Sequence, residues 1–418
     1  MSLLDELADE TRWLEFLSAK KEKRRLPEKE LDVLAQYIQE KTWGPVVETI
    51  RNGGSFGLAE KKLLNKLGSD KKRVVYCYSD AETPVLKLLA TLLYRYDHRQ
   101  PEGCYSFRAG YGAHRAIHML TRRDDPGAFW CYKSDIHDYF NCIPVPQLLP
   151  ILGDVTGDDP QLYNFIAGLL TQAHVLWKGK PVAEQRGVMA GIPVAPFLAN
   201  LYLRELDAYF TERKILYARY SDDLMFFAPT EEELLDHKDV IHEILTRHGL
   251  RVNPRKEKTY RPGESREFLG VSWDHENIDL SAATREKLKG KIRRKAHALV
   301  RWQQKKSLPP EKAIAVMIRT FNRKFFEGGD PDELTWSRWF FPLLTTDKGL
   351  REMDQYLQQY LRYFETGRHC KKNYAIRYGT LKELGYRSLV HEWHRFKEGG
   401  IEEFLHAPSS SVISSSCS

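Results

Sequence analysis

Asp222 and Asp223 stand side by side in Ala218-Arg219-Tyr220-Ser221-Asp222-Asp223-Leu224-Met225-Phe226-Phe227, between two short apolar, aromatic-rich runs. The pattern reads as a β-hairpin with the acids at or near its turn. Two carboxylates at one bend make a platform for a hard cation such as Mg²⁺, which prefers oxygen ligands. Paired acids at a solvated turn are also common, because Asp favours turns and water. The apolar flanks argue instead for a buried hairpin, where adjacent acids repel each other unless a cation neutralises them. Upstream, Ala128-Phe129-Trp130-Cys131-Tyr132-Lys133-Ser134-Asp135-Ile136 reads as a strand ending in a third acid, Asp135.

The intervening segments must bring these acids together. A helix begins near Pro146, and a Gly/Pro-rich loop over 187–196 leads into a long helix over 197–212. The hairpin follows, then a helix over 231–248 that stops at Gly249, a natural C-cap, and a strand over 250–253. Strand, helix, hairpin, helix, strand is the split βαβ order of a ferredoxin-like sheet. It places Asp135 and Asp222-Asp223 on adjacent central strands, converging on one pair of cations.

At 418 residues the chain exceeds one ordinary domain. Its 12% aromatic content excludes a disordered chain. The net charge of +7, from 64 basic and 57 acidic residues, suits a polyanion partner where the basic residues cluster. They cluster over 282–306, in a helical pattern that includes Lys287, Lys291, Arg294 and Lys295. Residues 1–50 read as two amphipathic helices separated by a basic run. A basic-flanked strand is expected over 71–78 and a helix over 83–96, with Pro84 in its first turn. Aromatics beyond residue 311 fall at helical spacing, as core residues do. The six cysteines include no Cys-x-x-Cys pair, so neither a zinc site nor a disulfide framework is expected. The acidic, amphipathic N-terminus does not read as a signal peptide, and no apolar run reaches membrane-spanning length, so a cytoplasmic protein is expected.

Several motifs, in order, resemble those of reverse transcriptases. Lys133-Ser134-Asp135-Ile136-His137-Asp138-Tyr139-Phe140 is similar to the first palm motif. Gly191-Ile192-Pro193-Val194-Ala195-Pro196-Phe197 resembles the template-positioning motif, and Tyr220-Ser221-Asp222-Asp223 the metal hairpin. Asn253 with Lys258-Thr259 resembles the next motif, and Glu267-Phe268-Leu269-Gly270-Val271-Ser272-Trp273 the primer-contacting hairpin. Ser106-Phe107-Arg108-Ala109-Gly110-Tyr111-Gly112 is similar to the fingers motif of bacterial, group-II-intron-like enzymes. The family's template motif reads Gln-Gly and Ser-Pro where this chain has Ala190-Gly191 and Ala195-Pro196. That departure puts in doubt how the template base and incoming nucleotide are held, but it does not touch the acids.

The resemblance implies an α+β right-hand polymerase with fingers, a ferredoxin-like palm and a helical thumb. The expected division is an N-terminal helical extension over 1–50, fingers over 51–127, a palm over 128–275 with inserted fingers segments, a basic thumb and C-terminal extension over 276–406, and a flexible tail over 407–418. It implies two Mg²⁺ ions, replaceable by Mn²⁺, bridged by Asp135 and Asp222, with Asp223 in support and the Ile136 carbonyl as a further ligand. It implies a dNTP site of Lys72, Arg73, Phe140, Gly191 and Lys258, in which Phe140 excludes the ribose 2′-hydroxyl and Lys258 lies near the pyrophosphate. Tyr220, Lys287, Lys291, Arg294 and Lys295 would bind nucleic acid.

Trp336-Ser337-Arg338-Trp339-Phe340-Phe341-Pro342 and Leu384-Gly385-Tyr386-Arg387-Ser388-Leu389-Val390 resemble the C-terminal region of defence-associated bacterial reverse transcriptases, and the compact size is similar to the type 2 members. That likeness implies a structured noncoding RNA partner, copied into cDNA in antiphage defence. A retron- or intron-derived enzyme, a template-independent protein-primed synthesiser and an RNA-binding scaffold with a relic palm are the alternatives.

Overall fold

The computed structural model describes residues 2–22, 28–65, 72–122, 126–184, 187–274, 277–327 and 335–399. Lys71 and the serine-rich tail expected over 407–418 lie outside the described residues. The chain divides into two compact units, one ending at Pro262 and the other beginning at Gly263. That division falls ahead of the palm–thumb boundary expected at 275/276.

In the first unit, residues 1–50 form more helices than the two expected: Leu3–Glu6, Glu10–Glu22, Glu28–Gln39 and Trp43–Arg51. Leu3, Leu4, Leu7 and Trp13 enter the core, and Trp13 stacks on Trp43 at 5.6 Å. The chain continues through β1 (Glu60–Asn65), β2 (Lys72–Cys77) and the helix Glu82–Leu92, which tightens into a 3₁₀ turn over Leu93–Arg99. The helix Ala113–Thr121 precedes β3 (Trp130–Asp135). Helices Val145–Val155 and Pro160–Thr171 are followed by β4 (His174–Trp177) and β5 (Lys180–Ala183). The single helix expected over 197–212 is two, Ala195–Tyr202 and Arg204–Glu212, broken at Leu203. They lead to β6 (Tyr217–Tyr220) and β7 (Asp223–Ala228), then the helix Glu231–Arg247 and β8 (Lys258–Tyr260).

Two sheets result, in the orders β2-β1-β4-β5 and β6-β7-β3-β8. The second has the ferredoxin-like arrangement, with β3 and β7 central and antiparallel. Beyond Asp223, β7 is buried on both faces, which is why Leu224 to Ala228 read as a continuous apolar run. The helix Glu231–Arg247 packs on β3 and β7. Thr230 caps it by accepting a bond from the Glu233 amide at 3.2 Å, and Gly249, at φ 66°, lets the chain turn away.

The fourth strand is not where the sequence placed it. Residues 250–253 make only one bridge, Ile136 to Val252, and the strand paired with β3 is Lys258–Tyr260. Pro254 lacks the amide that would continue a ladder, so pairing resumes only beyond it.

The second unit opens with β9 (Arg266–Phe268), β10 (Val271–Trp273) and β11 (Ile278–Leu280), an antiparallel three-stranded sheet. The basic pattern forms one helix, Ala282–Lys305, capped by Ser281. It packs on the helix Lys348–Tyr363, where Glu352 accepts from Lys289 at 2.6 Å and from Arg285 at 2.9 Å. Phe340, Phe341, Tyr360 and Tyr363 are buried, as core aromatics are. Cys104, Cys131, Cys142 and Cys370 are free thiols. No helix among the described residues is long and apolar enough to cross a membrane.

Candidate active site

The β6–β7 hairpin closes with Tyr220 paired to Asp223, which leaves Ser221 and Asp222 as its two turn residues. Ser221 takes φ 59°, the left-handed backbone that so tight a hairpin turn requires. On the neighbouring strand Asp135 is in register with Asp223. Ligand oxygens of Asp135, Asp222 and Asp223 all lie within 4.8 Å of one another. The Ile136 amide donates to the Asp222 carbonyl at 2.9 Å, tying the turn to the end of β3.

Three carboxylates this close carry a large mutual repulsion. Burial, then Asp223 and Asp135, push the Asp222 carboxyl up from 3.8 to about 6. Asp223 is also raised, by burial and by Asp135, against the pull of Lys133. One cation answers the cluster directly: Lys256 donates to Asp135. Burial works against the Lys256 ammonium, but its bond to Asp135 and the nearby charges outweigh that and raise its pKa. Asn253 braces the same carboxylate, its side-chain amide donating at 3.2 Å, while its backbone amide donates to the Asp135 carbonyl at 2.7 Å.

Behind the turn lies a buried polar network. Arg219 and Asp207 are both fully buried and paired, with Nε donating at 2.8 Å and Nη2 at 2.5 Å. Tyr217 donates to the same carboxylate at 2.8 Å. The Arg219 Nη1 donates to the Ser221 carbonyl at 3.1 Å, and the Ser221 amide donates to the Ser106 hydroxyl at 2.8 Å. Asn200 donates to the Ser106 carbonyl at 2.7 Å. Both ends of the strained turn residue are therefore clamped by buried groups. The sequence reading missed Lys256 and this network. Polar residues spaced within an otherwise buried helical run, Asn200 and Asp207, were the available signal.

Phe140 sits on the short helix Tyr139–Cys142 just after Asp135, half-buried, edge-on to Tyr139 at 5.6 Å and to Phe107 at 6.4 Å. The loop at 187–191 packs tightly beneath it. A Cβ at Gly187 would meet the Phe140 carbonyl at 2.3 Å, and at φ 55° only glycine is at ease. Gly191 lies against the backbone of β2, where the Tyr76 amide donates to the Ala190 carbonyl at 2.8 Å. Lys72 and Arg73 are exposed at the start of β2 and make no ion pair among the described residues. Lys258 pairs across to Lys133 on β3, with its ammonium 4.3 Å from the centre of the Tyr260 ring; the lysine bonded to the acids is Lys256. Arg108 is buried and spent on backbone carbonyls, whereas Arg115 is exposed over Tyr111. Lys287, Lys291, Arg294 and Lys295 share one helix of the second unit, with Lys287 and Arg294 exposed.

The family described as Reverse transcriptase (RNA-dependent DNA polymerase) matches residues 61–273, about half of the 418 residues. The chain belongs to the reverse transcriptase family. The match takes in β3, the hairpin and β8, so the sheet carrying the acids is the palm of a reverse transcriptase, in an α+β polymerase fold. The retron Ec86 reverse transcriptase of Escherichia coli is 26% identical over 196 residues, which cover 46% of this chain and 55% of that protein. This chain thus spans about half the length of that curated relative. A solved structure of apo telomerase from Candida Tropicalis, truncated from its C-terminal domain, aligns with 53% of this chain and 55% of its own, at 16% identity and a TM-score of 0.42.

Proposed function

We propose that this reverse transcriptase family member is an RNA-directed DNA polymerase that extends a DNA strand from dNTPs. The observation that carries the reading is the convergence of Asp135, Asp222 and Asp223, with ligand oxygens within 4.8 Å of one another at the ends of two paired strands. An all-oxygen, mutually repelling donor set, with Asp135 buried and Asp222 and Asp223 half-buried, fits hard divalent cations such as Mg²⁺ or Mn²⁺. Asp135 and Asp222 would hold two such ions, with Asp223 and the Ile136 carbonyl in support. When bound, the metals stabilise the attacking 3′-oxygen and the leaving pyrophosphate together. Lys256, bonded to Asp135, would compete with a cation for that carboxylate.

The surrounding residues take the nucleotide roles. Phe140, just beyond Asp135, closes the space a ribose 2′-hydroxyl would need. Lys72 and Arg73 are exposed cations for the triphosphate, and Lys258 is a further cation at the palm sheet. Gly191 lets the loop approach the base pair closely. Tyr220 flanks the primer end, while Lys287, Lys291, Arg294 and Lys295 form a phosphate-binding stripe that gives affinity without reading sequence. The dedicated template, a structured noncoding RNA copied into cDNA, and the setting, bacterial antiphage defence in the cytoplasm, rest on the likeness of the C-terminal stretches around Trp336 and Leu384.

The test is paired sequencing of nucleic acids that co-purify with wild type and with the variant Asp222→Ala, Asp223→Ala. One RNA enriched with both, and complementary DNA with wild type alone, is the expected result. DNA matching no RNA would replace this reading with template-independent synthesis, and absence of DNA from wild type would leave an RNA-binding scaffold.

A further inference from the structure

Phe107 is a bulky residue at φ 55°, in backbone that side chains with a Cβ rarely adopt. Such strain persists where the neighbours over-determine it, and it gathers at functional sites. Both neighbours are fixed here. Ser106 is fully buried and bonded through its hydroxyl to the Ser221 amide at 2.8 Å and to Asn200 at 3.3 Å. Arg108 is 4% exposed, and its guanidinium donates to the carbonyls of Pro101, of Cys104 at 3.1 Å, of Asp97 at 3.1 Å and of Gln100 at 3.3 Å. The next amide, of Ala109, donates to Asp97 at 2.9 Å. A chain pinned on both sides leaves Phe107 one place for its ring.

That place lies between two elements of the site. The ring meets Phe140 edge-on at 6.4 Å and 87°, and Tyr220 at 6.4 Å and 37°. Phe140 has Tyr139 at 5.6 Å as its other aromatic neighbour. A row of rings therefore runs from the metal hairpin through Phe107 to Phe140. We propose that Phe107 is a positioning residue for sugar selection: held by Ser106 and Arg108, it backs Phe140 and fixes that ring relative to Tyr220. This rests on the reading of Phe140 as the group that excludes the 2′-hydroxyl. Without the backing ring, Phe140 gains room to turn aside, and a ribonucleotide fits.

The experiment compares kcat/KM for a dNTP and the matching ribonucleotide in primer extension on a defined RNA template. The full chain is used as wild type, Phe107→Ala, Phe107→Gly, Phe107→Tyr, Phe140→Ala and Phe107→Ala with Phe140→Ala. Phe107→Ala should raise relative ribonucleotide use about three- to tenfold, the worth of an edge-on aromatic contact. The change should lie mainly in the ribonucleotide KM, and Phe107→Tyr should restore selectivity. Glycine relieves the backbone while removing the ring, so Phe107→Gly should melt above Phe107→Ala and lose the same selectivity. In the Phe140→Ala background the Phe107 change should add nothing, since it acts through that ring. An unaltered ratio, an equal loss with both substrates, or full additivity would overturn the proposal. Unaltered selectivity in Phe140→Ala would remove the gate itself and this inference with it, and a wild type that extends no primer would remove the polymerase reading on which both stand.

Discussion

Replacing Asp222 by asparagine removes one charge from the crowded cluster with little change in shape. Its carboxyl is pushed from 3.8 to about 6 by burial and by the charges of Asp223 and Asp135. A carboxyl with a native pKa above its unfolded one gives stability that is full below pH 3.8 and lost as pH rises through about 6. At pH 7.5 the metal-free fold therefore carries at most about 3 kcal/mol of unfavourable charge at this position. For a unit of this size that is worth up to roughly 6–12 °C in melting temperature. Asp222→Asn should accordingly melt above wild type at pH 7.5 in EDTA, and the gap should close toward pH 4. Divalent cation should reverse the order, because Mn²⁺ stabilises only a protein that binds it, and the variant lacks a ligand. Calorimetric scans at both pH values, with and without Mn²⁺, read all three outcomes. A variant no more stable than wild type at pH 7.5, or a gap of equal size at both pH values, would refute the reasoning.

Lys256→Met removes the ammonium bonded to Asp135. Mn²⁺ should then bind about tenfold more tightly by titration calorimetry, the scale of a lost competing charge-assisted bond; unchanged affinity would mean that Lys256 and the cation do not compete. Arg219→Met leaves Asp207 buried without its partner and should cost about 3–5 kcal/mol in urea melts. Much of that loss should return when Asp207→Leu is added, because the pair is then removed whole. Neutralising Lys287, Lys291, Arg294 and Lys295 together should flatten the salt dependence of RNA binding by up to about three counterions, and a slope equal to wild type would move the phosphate path off this helix.

The acids were legible because the chemistry constrains residue type and the strands constrain spacing. Asp135 ends β3 and Asp223 begins β7, so the register of two apolar runs sufficed to bring them together. Lys256 was not legible in the same way. Its reach to Asp135 depends on the path of the chain beyond Pro254, where Lys258–Tyr260, and not residues 250–253, supplies the strand beside β3. An apolar alternation such as Leu250-Arg251-Val252 fits a lone bridge as well as a ladder. The break at Leu203 and the extra N-terminal helices were hidden for a similar reason, since apolar periodicity continues through a short turn that keeps the same buried face.

Ser106, Asn200 and Asp207 show why a motif and the groups that hold it differ in visibility. The acids repel one another at the front of the turn, where Lys256 and Asn253 bond to Asp135. The hairpin therefore has to be fixed from behind, where water cannot compete. Arg219 does this with one guanidinium, gripping Asp207 through two nitrogens and the Ser221 carbonyl through the third. Such a group tolerates little substitution, because a lysine offers no fork and a neutral residue strands Asp207 in the core. Arg219, three places before Asp222, is thus as constrained as the acid itself, by burial and by the pair it makes with Asp207.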